Sequence, residues 1–205
     1  MKLICIADTH TRENLLNIPD GDILIHAGDF SEVGTFHETK AFLSWFSNQN
    51  HAYKILVPGN HDFYLEKERY EKLKPYLQGV HILINESLII NNLHFWGSPN
   101  TSLGERWAFG LKVDQIENHW EKIPRKANIV ITHNPPYDIL DHTKNKHVGC
   151  PYLRRQIKCL QPDYHIFGHA HDNYGKIKLG KTTYINATSF DDKYITPNKP
   201  IIINL

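Results

Sequence analysis

Five short segments of this chain place metal-competent side chains directly after apolar runs. They are Asp8-Thr9-His10, Gly28-Asp29, Gly59-Asn60-His61-Asp62, Thr132-His133-Asn134-Pro135-Pro136 and Gly168-His169-Ala170-His171. The donors on offer are imidazole nitrogens and carboxylate or amide oxygens, with no thiolate among them. Such a set suits Mn²⁺, Fe or Zn²⁺ in a catalytic centre rather than a Cys-rich structural zinc site. Seven such ligands are too many for one catalytic ion that must keep an open position, and about right for two. Each segment alone is weak: Asp8 could be a helix cap, Asn60 a turn residue, and a His-x-His pair a surface accident. Their joint occurrence, always just past a β-type run, carries the reading, because ligands in open α/β sheets bind at the carboxyl ends of strands. Glycines 28, 59 and 168 are expected to allow the tight turns that bring these side chains inward.

The elements that must position them can be read from periodicity. Leu3 to Ala7, Asp22 to Ala27, Tyr53 to Val57, Asn128 to Thr132, Tyr164 to Phe167 and Ile201 to Asn204 read as strands. Leu88 to Trp96 reads as a hairpin turning at Asn91-Asn92, and Lys176 to Ile185 as another turning at Gly180-Lys181. Helices are expected over His37 to Asn48, with Ala41, Phe42, Trp45 and Phe46 on one stripe; over Glu66 to Lys74, stopped by Pro75; over Val113 to Ile123; and near Pro151 to Leu160. Strands alternating with helices, with hairpins mixed in, predict an α/β (α+β) domain with mixed sheets and helices outside, spanning 1–205 as one unit.

Composition bounds the rest. At 205 residues, 40% hydrophobic and 22% charged, the chain falls outside the disordered and fibrous classes. The formal net charge is +1, so no bulk attraction to nucleic acid or membrane follows, and duplex nucleic acid is not an expected partner. Three cysteines without a C-x-x-C pair make no disulfide framework, and no stretch reaches the length of a membrane span. With no secretory signal in the first residues, a cytoplasmic location is expected. Fourteen histidines are the outlier.

The order D-x-H, G-D, G-N-H-D, isolated His, G-H-x-H resembles the signature of the calcineurin-like metallophosphoesterase superfamily. The nearer likeness is to its class III cyclic-nucleotide phosphodiesterase and fetal-brain-type metallophosphoesterase-domain branch. It is carried also by His26 to Gly34, Gly97-Ser98-Pro99, Trp107-Ala108-Phe109, Gly149-Cys150 and Tyr164 to His169. The resemblance implies a four-layer αββα sandwich with the metals at one edge. It implies one ion on Asp8, His10, Asp29 and His171, and a second on Asp29, Asn60, His133 and His169, with Asp29 bridging and His61 facing substrate without binding metal. Mn²⁺ is the expected metal, with Fe, Zn²⁺ or Mg²⁺ as alternatives. The implied reaction is hydrolysis of a small phosphodiester, such as a 2′,3′- or 3′,5′-cyclic nucleotide, by in-line attack of a hydroxide shared by the two ions, with His61 donating a proton. A phosphomonoesterase, a small nuclease, or a nucleotide-binding scaffold with weak turnover are the alternatives. Phe30-Ser31-Glu32 after Gly28-Asp29, in place of D-R-G, disfavours a protein phosphatase. His171 is present where some relatives have lost it, and Asp62 stands where those relatives often carry Glu.

The remaining candidates concern substrate. Trp107, between Gly104 and Gly110, is the best choice for stacking on a base or aryl group, and Cys150 matches a feature near the family's nucleotide pocket. Arg154 or Arg155 could contact a phosphate, though a helix-surface role is the simpler reading. Asp62 is expected either to orient His61 or to start a helix. His26 and His165, inside strand runs, read as core. His142 and His147 flank the basic stretch Lys144 to Lys158, in a loop long enough to line the pocket.

Overall fold

The structure is a computed structural model that describes residues 1–67, 70–144 and 146–205. Its first half alternates strand and helix: β1 (Lys2–Ile6), β2 (Ile23–His26), α1 (Phe36–Ser47), β3 (Tyr53–Leu56), α2 (Phe63–Lys67) and β4 (Val80–Ile82). A hairpin follows, β5 (Glu86–Ile90) and β6 (Leu93–Ser98), then α3 (Ile116–Trp120) and β7 (Ile129–Thr132). The chain ends with a two-residue ribbon β8 (His142–Thr143) and β9 (Lys146–His147), α4 (Pro151–Leu160), β10 (Tyr164–Phe167), the hairpin β11 (Gly175–Leu179) and β12 (Thr182–Asn186), and β13 (Ile201–Asn204).

Two mixed sheets result, in the orders β13-β1-β2-β3-β4 and β11-β12-β10-β7-β6-β5. In the first, β1 to β4 run parallel and β13 antiparallel; in the second, β12, β10, β7 and β6 run parallel and the outer strands antiparallel. The period-2 pattern explains the layering. Leu3, Cys5, Ile23, Ile25 and Ile55 of the first sheet meet Phe95, Ile129, Ile131, Ile166 and Ile185 of the second. Their neighbours Ile4, Ile6, Leu24 and Leu56 face outward onto Phe42, Leu43 and Phe46 of α1. On the far side Trp96, Val130, Phe167 and Tyr184 face Ile116, Trp120, Leu153 and Ile157 of α3 and α4. Helix, sheet, sheet and helix therefore stack in the expected four layers. No helix among the described residues is long and apolar enough to cross a membrane.

Several expectations need correction. The buried stripe of α1 is Thr39, Phe42, Leu43 and Phe46, and Ala41 is exposed. Pro75 does not stop a helix; it lies inside a 3-10 segment, Tyr70–Tyr76. The rest of that expected helix falls partly on residues 68 and 69, outside the described residues. The helix read over Val113 to Ile123 shortens to the five residues of α3, with Val113 84% exposed. Strand β4 and the β8–β9 ribbon were unforeseen. The β5–β6 hairpin turns as expected, with Asn91 and Asn92 at φ of 48° and 65°, as a two-residue turn matching strand twist requires.

Candidate metal centre

The five segments leave the carboxyl ends of β1, β2, β3, β7 and β10, three parallel strands of one sheet and two of the other. Both sheets thus aim these ends at one edge of the sandwich, and an isolated parallel bridge between Ala7 and Thr188 joins them there. Backbone strain gathers at the same place. Asp8, His10, Asp29 and His169 all sit in the left-handed region, at φ of 54°, 43°, 56° and 69°. Each costs about 1 kcal/mol or more and persists only where its surroundings impose it. The glycines act mainly through space rather than through turns. A side chain on Gly28 would strike the His133 ring, one on Gly59 the Asp29 carboxylate, and one on Gly168 the Asp8 carboxylate. Only Gly28, at φ +102°, also needs glycine's conformational freedom.

The seven expected ligands converge. Asp8, His10 and His171 offer one ligand atom each within 4.8 Å of one another, and so do Asp29, His133 and His169. Asp29 lies between the two groups, with Oδ2 3.2 Å from His133 Nε2 and 3.9 Å from His10 Nε2. Asn60 Oδ1 is 2.9 Å from His133 Nε2. The Asp8 carboxylate is held by the His169 backbone N–H at 3.0 and 2.9 Å, and Asp29 Oδ1 by the His61 N–H at 2.8 Å.

The histidine tautomers show that these residues fit cations. Nδ1 of His10 faces the Ser31 carbonyl (3.1 Å), Nδ1 of His133 the Ala27 carbonyl (3.0 Å) and Nδ1 of His171 the Phe190 carbonyl (2.9 Å). A carbonyl only accepts, so each Nδ1 carries a hydrogen and Nε2 is the ring atom left to turn toward the centre. The buried Nε2 of His10 has no hydrogen-bond partner among the described residues, and that of His133 faces only oxygen atoms. Burial holds His10 below the ordinary histidine range, and burial together with nearby His133 takes His169 down to about 3, so both rings are neutral donors. His133 goes the other way. Burial lowers it, but the Asp29 carboxylate outweighs burial and raises it to about 9. Burial alone would raise Asp29; His133, by charge and hydrogen bond, holds it below the carboxylate range. A cation entering here must therefore displace the His133 proton.

Other expected residues divide. His61 is half-buried at the rim, its Nδ1 on the Glu32 carbonyl at 2.6 Å and its ring 4.8 Å from His10 and 5.0 Å from Trp107. His61, His10 and Asp29 also form a compact trio of ligand-type groups. Trp107, 39% exposed, stands beside His61 and stacks near Phe63 at 6.5 Å. Asp62 does not orient His61. It is fully buried and accepts from Gly59 N–H (2.7 Å), Asp29 N–H (3.1 Å), Ser31 N–H (3.0 Å) and Ser31 Oγ–H (2.6 Å), which ties the loops after β2 and β3 together. Burial and then Asp29 push it up to about 7 against those hydrogen bonds.

Cys150 and Arg154 are corrections. Cys150 is fully buried among Trp120, Leu153 and Ile157 at the start of α4, where burial raises its thiol; no substrate reaches it. Arg154 faces a groove with Lys158, Gly180, Thr182 and Tyr184 at the starting end of β12, whereas the site lies at the finishing ends of the parallel strands. Arg155 pairs with Glu117 and Lys144 with Asp192, so these cations of the basic stretch are already matched. Two rim residues were missed. The Tyr194 ring lies 5.6 Å from His10 and 5.5 Å from His171, and the Arg12 guanidinium sits 4.4 Å over that ring, bonded to the His10 carbonyl (2.6 Å) and Glu32 (3.1 Å). Arg12, two residues past His10, could have been suspected; Tyr194 lies in irregular chain at φ 53° and gave no signal.

Comparison with known proteins agrees with this geometry. Residues 1–173 match the family model described as calcineurin-like phosphoesterase. Human metallophosphoesterase domain-containing protein 1 is 35% identical over 230 residues, covering 100% of this chain and 71% of that protein. A UPF0046 protein of Caenorhabditis elegans is 33% identical over 215 residues, covering 98% and 74%. The crystal structure of phosphopantetheinyl hydrolase from Mycobacterium tuberculosis superposes with a TM-score of 0.66 at 15% identity, covering 98% of this chain and 95% of that one, a likeness of fold. With its strand-end His and Asp groups able to hold two divalent ions, the chain belongs to the calcineurin-like phosphoesterases, a family of metal-dependent phosphoester hydrolases, in the branch of metallophosphoesterase domain-containing protein 1.

Proposed function

We propose that this chain, acting as one domain over 1–205, is a dinuclear metal-dependent phosphodiesterase for small substrates of the nucleotide kind. The observation that carries it is the place of Asp29, one carboxylate oxygen between His10 and His133, where it can serve two ions at once. One ion is assigned to Asp8, His10, Asp29 and His171, the other to Asp29, Asn60, His133 and His169. Mn²⁺ suits the mixed oxygen and imidazole set, with Fe, Zn²⁺ and Mg²⁺ as alternatives. When bound, such a pair supplies a water nucleophile at neutral pH and offsets charge on the phosphoryl oxygens.

The chain's own residues do the rest. The Glu32 carbonyl holds the Nδ1–H of His61, so its Nε2 turns toward the rim, where the imidazolium form can give its Nε2 proton to the departing oxygen and return to the neutral Nδ1–H ring. Trp107, 5.0 Å from His61, offers an aromatic face to the leaving group on that side, and a diester brings an organic group there whichever bond breaks. The test is hydrolysis of a bis-aryl phosphodiester beside the matching monoester by chelator-stripped protein with Mn²⁺ added back. Metal-dependent turnover that favours the diester supports the reading. Preference for the monoester makes the chain a phosphatase, and no turnover of either with two ions bound overturns the reading in favour of a narrow substrate of another kind or a binding role.

A further inference from the structure

Outside the candidate centre, the β8–β9 ribbon carries a second arrangement of imidazoles. His142 and His147 are directly opposite partners across the ribbon, both exposed, with ring centroids 4.6 Å apart. His147 is held from behind. Its Nδ1 lies 2.8 Å from Oδ1 of Asp141, whose side chain is only 2% exposed, and Asp141 Oδ2 takes the Gly149 N–H at 3.1 Å. Gly149 has no room for a side chain: a Cβ there would sit 2.7 Å from Asp141 Oδ2 and 2.6 Å from the Pro136 carbonyl oxygen. The packing thus fixes Asp141, and Asp141 fixes the ring of an exposed histidine.

We infer that His142 and His147 form a separate binding site for one divalent transition ion of the zinc, copper or nickel kind. Burying a carboxylate is costly unless its oxygens are used, and here one oxygen serves a backbone N–H and the other an imidazole. Nδ1–H held by a buried carboxylate leaves the Nε2 lone pair facing solvent, which is how a carboxylate prepares a histidine to bind metal. The inward histidines of the main centre are prepared the same way, with carbonyls in the carboxylate's place. The facing ring of His142 supplies a second nitrogen, and water completes the shell. Bonds of about 2.0–2.1 Å to each nitrogen are within reach of rings this close. With imidazole ligands alone the site selects against Mg²⁺ and Ca²⁺. It shares no residue with the candidate centre, yet Thr143 Oγ and Lys144 N–H both bind Asp172 (3.1 Å each), next to His171 in sequence.

The test is equilibrium dialysis of the untagged full chain against Zn²⁺, with the bound metal counted. Wild type should hold one zinc more per chain than His142→Ala, and His147→Ala should match His142→Ala. Both positions are exposed, and circular dichroism checks that each variant is folded. Asp141→Asn, which keeps both rings, should weaken that one zinc by about 10–100-fold. Equal zinc in wild type and His142→Ala overturns the site, as does an Asp141→Asn variant that is folded and binds as tightly as wild type. If the main centre took no metal, all totals would fall together and the difference of one would remain.

Discussion

Asp29 does more than any other side chain at this edge. Its Oδ2 faces His10 and His133 while its Oδ1 accepts from the His61 N–H, so one carboxylate touches both proposed ion positions and the loop of the proposed proton donor. Asp29→Ala should therefore abolish metal-dependent turnover and lower the metal content of both positions. Full turnover in that variant would remove the bridging role. His61 is different, because only its backbone reaches Asp29 and its side chain stands at the rim. His61→Ala should lower kcat by about 10²–10⁴-fold with two ions still bound; lost metal would instead make His61 a ligand. At this scale the sequence was most legible, since each proposed ligand lies one to four residues past the end of its strand. Cys150 was misread because Gly149-Cys150 looks like loop chemistry, whereas the cysteine begins α4 and its sulfur turns into the core. Tyr194 was illegible because its place beside His10 depends on the path of irregular chain after β12.

At the scale of elements, the segment from β2 into α1 shows how secondary structure reaches the chemistry. Thr35 and Glu38 form a capping box, and the Glu38 carboxylate also takes the Glu32 and Val33 N–H groups, both at 3.3 Å. The start of α1 therefore holds the stretch whose Glu32 carbonyl orients His61. Gly34, at φ +68°, lies so close that a Cβ would fall 2.5 Å from the His61 carbonyl oxygen and 2.5 Å from Phe63 N. Gly34→Ala should shift that contact and cut kcat well beyond what Thr35→Ala does, since losing the cap costs only about 0.5–2 kcal/mol of stability. Equal kcat in the two variants, both folded, would show that the Gly34 contact does not position His61. The helical stripe was legible for Phe42 and Phe46, but Ala41 was misassigned because the inward face is centred on Thr39, Phe42, Leu43 and Phe46.

For the whole molecule, stability below neutrality is governed in part by two histidines outside the proposed ligand sets. His26 and His165 are fully buried, with Nε2 on Thr9 Oγ (3.0 Å) and Thr132 Oγ (2.9 Å), and burial takes both down to about 3. Unfolded, each takes up a proton near pH 6.5. Below that pH the unfolded chain binds protons that the native state refuses, so their stabilisation is complete above about pH 6.5 and drains away as the pH falls toward 3. The urea midpoint of metal-stripped protein should drop between pH 7 and pH 5, and drop less in His165→Gln, which cannot titrate. An equal drop in both would show that His165 contributes nothing to the acid sensitivity.

The division of ligands between the two sheets has a further consequence for how the chain could be taken apart. Cleaved at Gly104, where the loop has open space around it, the chain would leave Asp8, His10, Asp29 and Asn60 on one fragment and His133, His169 and His171 on the other. Each proposed ion needs ligands from both. Divalent metal would then add to the pairing of β6 with β7 and of β1 with β13 in holding the complementing halves together, and phosphoester turnover would serve as a reporter that lights only on reassembly.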